Sequence, residues 1–456
     1  MKKIALTLIL VVSITMLAMA KGDSAQVHNL REIFTKGQWH GHFRNYFMAT
    51  INYNNLEEYW TNATGGALIY ETAPWHGFNA GVRGIFTYRT FSSNIHDPDA
   101  THGGGKWEKE LYDINRPDEK YDLDRLDELY IRYKSKHFEI TYGKQDINEG
   151  PLLKNRDGRM KPFVYRGFWS EFQNENNHIW LGWIDGVSPR GMTEWYDLNE
   201  AIGLIALGNE PNGTQSDYHE MSNTRGLAVA GYQHKLSNTL KATGWAYLMD
   251  RMFGIYWAQL DWKYANLFAG LQYVHQHALP YQGNLHYNER YYQPDEQANV
   301  VSGQVGWTNG QLILSAAYLH AYNTGRFLYP REMSREDFYV SQPRSWMDGF
   351  GNTNVYQVGA KYFIKRNKEP LLDVSVYLNH VAGPGYGNIK FNKYNLPVYN
   401  QVTARVKHHF HNIMEGMTLG IMYIARNSSE VNEMTDNDIY YRTNFHNINL
   451  VLNINF

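Results

Sequence analysis

Five basic side chains, Lys154, Arg156, Arg159, Lys161 and Arg166, fall within thirteen residues of one stretch, "YGKQDINEGPLLKNRDGRMKPFVYRGF" (142–168), beside Asp146, Glu149 and Asp157. Cations this close repel one another unless carboxylates interleave or an anion sits among them. On a water path with low-dielectric walls such charges are focused and weakly screened, so they attract anionic groups. On an open surface the same composition is a solvated loop. Gly150-Pro151 and Asp157-Gly158 are turn signals, so the stretch is a connection, and its meaning depends on what it connects.

Other candidates are chosen by face. Arg44, Arg83, Arg89, Arg132, Arg405 and Lys407 alternate with apolar neighbours and take the polar side of their segments. There they either reach a permeation path or keep the wall wet. His409 and His411 of "KHHFH" share a face and resemble part of a metal site, but two imidazoles beside a turn fall short of a ligand set. Asp217, His219 and Glu220 read as solvated, and no Ser-His or Asp-His pair of the hydrolase kind stands out. The expectation is no catalytic residue, no metal and no cofactor.

The elements that position these residues show a period of two. The chain ends in "NINLVLNINF", where Ile448, Leu450, Leu452, Ile454 and Phe456 alternate with mostly asparagine, a strand with one oily and one wet face. Similar alternation recurs at 39–51, 78–88, 126–134, 138–144, 179–185, 227–236, 240–248, 256–264, 267–276, 300–307, 312–322, 356–364, 372–380, 398–408 and 417–425. With shorter runs at 66–72 and 165–173, the count is about eighteen. Leu372, Val374, Val376 and Leu378 oppose Asp373, Ser375, Tyr377 and Asn379; Leu129 and Ile131 oppose Glu128, Arg132 and Lys134. An Arg or Lys on a lipid face at mid-depth costs about 2–4 kcal/mol, so the charged faces must point inward.

The connections alternate as well. Long ones at 52–65, 91–125, 146–162, 186–225, 277–297, 323–351, 381–397 and 427–442 are interleaved with short turns at 74–77, 135–136, 174–177, 237–238, 309–310, 366–370 and 411–416, with one further short connection at 250–253. Short turns on one side and long loops on the other is the layout of an outer-membrane barrel; a propeller or solenoid would repeat units at a fixed period.

Residues 1–20, with Lys2 and Lys3, an apolar run and Ala18-Met19-Ala20, read as a signal peptide rather than a retained anchor helix. Residues 21–36 then form a short N-terminal segment and 37–456 the barrel. Exported chains without a disulfide framework must hold together otherwise, and this one has no cysteine. Aromatics make up 15%, with 35 Tyr and 13 Trp, as aromatic girdles at two membrane interfaces require. The net charge of −2, or −4 once Lys2 and Lys3 leave, offers nothing to nucleic acid.

The pattern Gly143-Lys144-Gln145, Pro151, then Asp157, Arg159, Met160, Pro162, Tyr165, Gly167 and Phe168 resembles the constriction-loop region of the OprD-type substrate-specific porins. The stretches "GQWHGHFRNYF" and "GGALIYETAPWHGFNAGVRGIF" look like that family's first three strands. The resemblance implies an all-β antiparallel transmembrane barrel of about eighteen strands, with an inward-folded third loop and a ladder of facing arginines. It also implies passive uptake of small carboxylate-bearing solutes such as amino acids or small peptides. In some branches the solutes are sugars or chito-oligosaccharides. The constriction candidates are then Arg159 and Arg166 first, with Lys154, Arg156, Asp157, Lys161, Arg44, Arg83, Arg132, Arg405 and Lys407. The expected partners are solutes, outer-membrane lipid of a Gram-negative bacterium, and the barrel-assembly machinery through Phe456. The channel is expected as a monomer or trimer. The competing readings are an adhesion or binding barrel with an occluded lumen, and an outer-membrane hydrolase.

Overall fold

The computed structural model describes residues 27–96, 103–155 and 158–456. The signal-peptide reading of 1–20, together with Arg156 and Asp157, lies outside the described residues. Eighteen strands form the wall: β1 (Gln38–Ile51), β2 (Tyr59–Glu71), β3 (Phe78–Ser92), β4 (Arg125–Lys134), β5 (Phe138–Gln145), β6 (Val164–Gln173), β7 (Asn177–Ser188), β8 (Leu227–Lys235) and β9 (Leu240–Met249) make the first half. The second half is β10 (Phe253–Tyr264), β11 (Leu267–Ala278), β12 (Gln297–Thr308), β13 (Leu312–Ala321), β14 (Thr353–Arg366), β15 (Glu369–Ala382), β16 (Tyr399–His409), β17 (Met417–Asn427) and β18 (Phe445–Asn455). Each pairs antiparallel with the next, and β18 pairs with β1. A two-residue strand, Tyr196–Asp197, adds to the end of β7.

Closure runs to the last residue. Phe43 lies opposite Ile454, and beyond the strand the Gly41 and Phe456 backbones exchange N–H···O bonds of 2.9 and 3.0 Å. In β18, Leu450 and Ile454 are exposed on the outside while Asn447 and Asn449 are fully buried inside. Leu129 and Ile131 are 55% and 62% exposed, the outward half of an alternation whose inward half includes Tyr130 at 4%. A belt of exposed apolar and aromatic side chains all round a closed barrel is a surface that lipid solvates. Among the described residues no helix is long and apolar enough to cross a membrane.

Two local departures from the expected pattern have physical causes. The connection expected at 52–65 is only 52–58, because β2 starts at Tyr59; its outward positions Asn62, Thr64 and Gly66 replace oil with residues bonded to Thr90 and Asn45 or with no side chain, which hides the alternation. Gly65 is required there, since a Cβ would lie 1.9 Å from the Phe86 carbonyl oxygen. The turn at Asn367-Lys368 has φ of +53° and +72°, the two left-handed residues a two-residue hairpin needs.

The interior is filled from the long-loop side. In the loop at 322–352, Phe327, Leu328, Met333, Phe338 and Val340 are buried. Inward-facing amides of the wall hold its backbone: Gln272 Nε2 donates to Asp337 O (3.1 Å), Asn379 Nδ2 to Val340 O (2.9 Å) and Gln401 Nε2 to Pro343 O (2.9 Å). Gln276 both donates to and accepts from the Leu328 backbone, at 2.7 and 2.9 Å. A buried backbone group left unpaired costs about 1–3 kcal/mol. Gln276→Leu is therefore expected to leave the wall intact but to speed amide hydrogen exchange across 322–352 at least tenfold; unchanged exchange would show that the loop is held elsewhere.

Candidate functional site

Inside the barrel, inward-facing Tyr399 of β16 and Arg426 of β17 join six of the long loops around a cavity of about 530 Å³. Eight cations line it, Lys106, Arg159, Arg190, Arg331, Arg335, Arg344, Arg426 and Arg442, against three carboxylates, Glu110, Asp348 and Asp438.

Most of these cations are held. Arg159, 1% exposed, pairs with Glu110 at 2.7 Å and donates to the Trp107 carbonyl at 2.8 Å, and its own carbonyl accepts from Arg44 on the wall. Arg190 meets the same Glu110 oxygen at 2.8 Å. Arg331 pairs with Asp348 at 2.8 Å and lies 3.6 Å from the centre of the Tyr394 ring. Arg426 lies 3.9 Å over Tyr399 and donates to Gln401 Oε1 at 2.9 Å, while Arg344 lies 4.7 Å over Trp107 and donates to Asn447 Oδ1 at 3.3 Å. Arg335 is different: among the described residues it has no carboxylate within ion-pair distance, and its buried Nε lacks a hydrogen-bond partner. Burial, then repulsion by Arg190 and Arg331, pulls its guanidinium down to about 10.

Next to the cavity, where Arg326 donates to the carbonyl of its lining residue Asn209 at 2.7 Å, a second network joins the loops. Arg326 (in 322–352) makes a forked pair with Glu296 (in 279–296) at 2.9 Å for both bonds and lies 3.6 Å from Glu210 (in 189–226). Gln293 donates to Glu210 at 2.7 Å, and Lys393 (in 383–398) donates to Ser216 Oγ at 3.0 Å. Arg326, Glu210, Ser216 and Lys393 are each at most 1% exposed.

Of the sequence candidates among the described residues, Arg159 alone lines the cavity, with Arg44 touching it through the Arg159 carbonyl. Arg166 takes the other side of the wall. Its strand partner Lys144 is opposite the outward-facing Leu129, and its guanidinium meets Asp185 and Asp197 at 2.5 Å each. Arg166 lies in β6, within the strand run expected at 165–173, but it shares an outward face with Phe168, away from the bore where a constriction residue is needed. Lys161 is fully buried with its amine on the Tyr112 carbonyl at 2.7 Å, and burial foremost, then Arg125, lowers its amine to about 7. Lys154 is half exposed, 4.0 Å from Asp337. Arg83 and Arg132 are inward but neutralised, Arg83 by Glu128 at 2.7 Å and Asp127 at 3.1 Å, Arg132 by Glu139 at 3.2 Å and Glu71 at 3.3 Å. Arg405 and Lys407 face inward near the short-turn end, opposite Ser375 and Asp373. His409 pairs with Asp373 at 2.9 Å and His411 bonds the Pro370 carbonyl at 3.0 Å. Among the described residues no three ligating side chains group together.

The cations that sequence reasoning passed over, Arg190, Arg331, Arg335 and Arg344, sit in loops without periodicity. The signal available was the spacing of Arg331, Arg335 and Arg344 within one connection, 322–352. Arg426 shares its face with Met422 and Ile424, so alternation marked that face as apolar.

What fold and interior define together is a closed eighteen-strand antiparallel barrel with a cationic cavity in its bore. No protein-family model matches the chain, and no curated protein matches it in sequence. Among solved structures it is similar to OccAB4 of Acinetobacter baumannii (TM-score 0.67, 13% identity, covering 95% of this chain and 100% of that one). It is also similar to two structures from Pseudomonas aeruginosa. OccK9 (OpdG) gives a TM-score of 0.70 at 13% identity over 93% and 100%, and OpdK with vanillate 0.66 at 14% over 93% and 99%. These neighbours are porins of the Occ/OprD family, and the closed antiparallel barrel of about eighteen strands expected from the resemblance is the barrel observed.

Glu110 ties three loops together, and its titration tests that tie. Burial works to raise its carboxyl, but Arg159 and Arg190 outweigh burial and hold it down to about 2, below the ordinary 4.5. A carboxylate depressed in the folded state adds stability above its unfolded value and loses it as pH falls toward the folded one. Proteolysis of the 189–226 loop should therefore be slow at pH 7 and 5 and accelerate below about pH 4. Glu110→Gln should already be fast at pH 7; equal rates in both proteins would remove Glu110 from this role.

Proposed function

We propose that this chain is an outer-membrane diffusion channel, selective for small carboxylate-bearing solutes, and that its loops at 146–163 and 322–352 narrow the bore into an eyelet around the cationic cavity. The observation that carries the reading is the excess of eight cations over three carboxylates in the bore, with Arg335 unpaired by any carboxylate among the described residues. A permeating carboxylate completes what the protein leaves incomplete, and arginine suits it because the guanidinium fork matches a carboxylate bidentately. The neighbour OpdK was solved with vanillate, itself a carboxylate, which supports the same class.

An oligosaccharide channel is the second reading, since Trp107, Trp346, Tyr394, Tyr399 and Tyr441 line the cavity. Sugar recognition, however, uses open ring faces, and guanidinium groups already cover Tyr394, Tyr399 and Trp107. The carboxylate reading is favoured on that ground. Adhesion and hydrolysis have no comparable observation behind them. Phe456, 54% exposed where β18 meets β1, keeps its proposed role as the assembly signal, and one chain encloses a complete bore.

In planar bilayers the protein should form small anion-selective channels whose current is reduced by an added carboxylate. Arg335→Gln with Arg344→Gln should lower the anion-to-cation permeability ratio about tenfold, equivalent to roughly 1.4 kcal/mol. Arg166→Gln, on the outer face, should leave it unchanged. No conductance, or selectivity indifferent to Arg335 and Arg344, would refute the proposal.

A further inference from the structure

The outer surface of the barrel carries a repeated polar device at the long-loop ends of the strands. Tyr318 OH and His320 Nδ1 of β13 both meet Asn354 Oδ1 of β14, at 2.7 and 2.9 Å. Tyr273 OH and His275 Nδ1 meet Asn299 Oδ1 at 2.8 and 3.0 Å, and His380 Nδ1 meets Asn400 Oδ1 at 2.9 Å. An amide oxygen only accepts, so each imidazole must donate from Nδ1. Asn299 confirms the orientation, since its Nδ2 donates to the Gln297 carbonyl at 3.3 Å. The tautomer is thereby set, and Nε2 is left as an acceptor.

Immediately toward mid-wall from the β13–β16 copies lies an apolar groove of about 890 Å³, lined on its outer side by Gly303, Val305, Ala316, Val358, Leu378 and Val402, with Tyr318, Tyr356 and His380 at its head. The groove exists because Gly303 and Ala316 are small; a Cβ on Gly303 would meet only the Gly270 carbonyl oxygen, at an ordinary 3.7 Å. Tyr318 and Tyr356 are 41% and 51% exposed, with ring centres 5.2 Å apart.

We propose that this face is a specific site for an outer-leaflet glycolipid, with an acyl chain in the groove and sugar hydroxyls donating to the Nε2 atoms of His320 and His380 across the exposed faces of Tyr318 and Tyr356. A row of fixed acceptors beside open aromatic faces suits a headgroup with several hydroxyls and apolar ring C–H faces. An ethanolamine headgroup brings its donors to a single nitrogen. The site rests on the membrane placement proposed above but not on any property of the bore.

The test is native mass spectrometry of the whole detergent-purified protein titrated with lipid A, with phosphatidylethanolamine as the second arm, and conductance recorded in parallel. The wild type should retain one lipid A per barrel. Gly303→Leu, which fills the groove, and Asn354→Leu with Asn400→Leu, which releases the imidazoles, should each lower the retained fraction about tenfold while conductance stays at the wild-type value. The shift in gel mobility on heating shows which variants are folded, and Gly303→Leu is expected to fold. No lipid A on the wild type, equal retention by a folded variant, or equal retention of phosphatidylethanolamine would overturn the proposal. Loss of conductance with lipid binding intact would overturn the channel reading alone.

Discussion

Every feature of this protein depends on the closing of one hydrogen-bond ladder on itself. In hydrocarbon an unpaired backbone N–H or C=O costs several kcal/mol, so a strand with an open edge cannot remain there. Pairing β18 with β1 removes the only edges a sheet of eighteen strands would have. Closure then divides every strand into an outward side and a side facing the bore, and this makes room for arginine, glutamine and asparagine in a wall that outwardly shows leucine and tyrosine.

The bore is organised by a second constraint, the need to satisfy what the wall points inward. Gln272, Gln276, Asn379 and Gln401 would be expensive if buried without partners; they are paired with the backbone of one long loop instead. That loop brings Arg331, Arg335 and Arg344 to the cavity, where Glu110 on another loop draws Arg159 and Arg190 toward the same place. Electrostatics and backbone pairing thus act on the same segments. The excess of positive charge is sustained because most guanidiniums also rest on an aromatic ring or an amide oxygen.

How much of this the sequence disclosed follows from what periodicity can encode. A strand half in oil repeats its chemistry every second residue, so the wall, its inward charges such as Arg44 and Arg132, and the alternation of long and short connections were legible. The motif around Arg159 was legible as a resemblance. Arg166 was ranked by its motif and not by its face, and one residue of register moves a side chain through the wall. Arg335 and Arg344 were not legible: the interior loop has no period, and its position is specified by amides on strands up to a hundred residues away in sequence.

The bonds between Gly41 and Phe456 have a kinetic meaning. Many ladders join neighbouring strands through turns of a few residues, so hairpins can form locally and early. The seam between the first and last strands joins the two ends of the chain and bears the largest loop-closure entropy in the molecule. Sealing that seam is the natural final event of assembly, and until then two unpaired edges remain available to a catalyst or to misassociation with another chain.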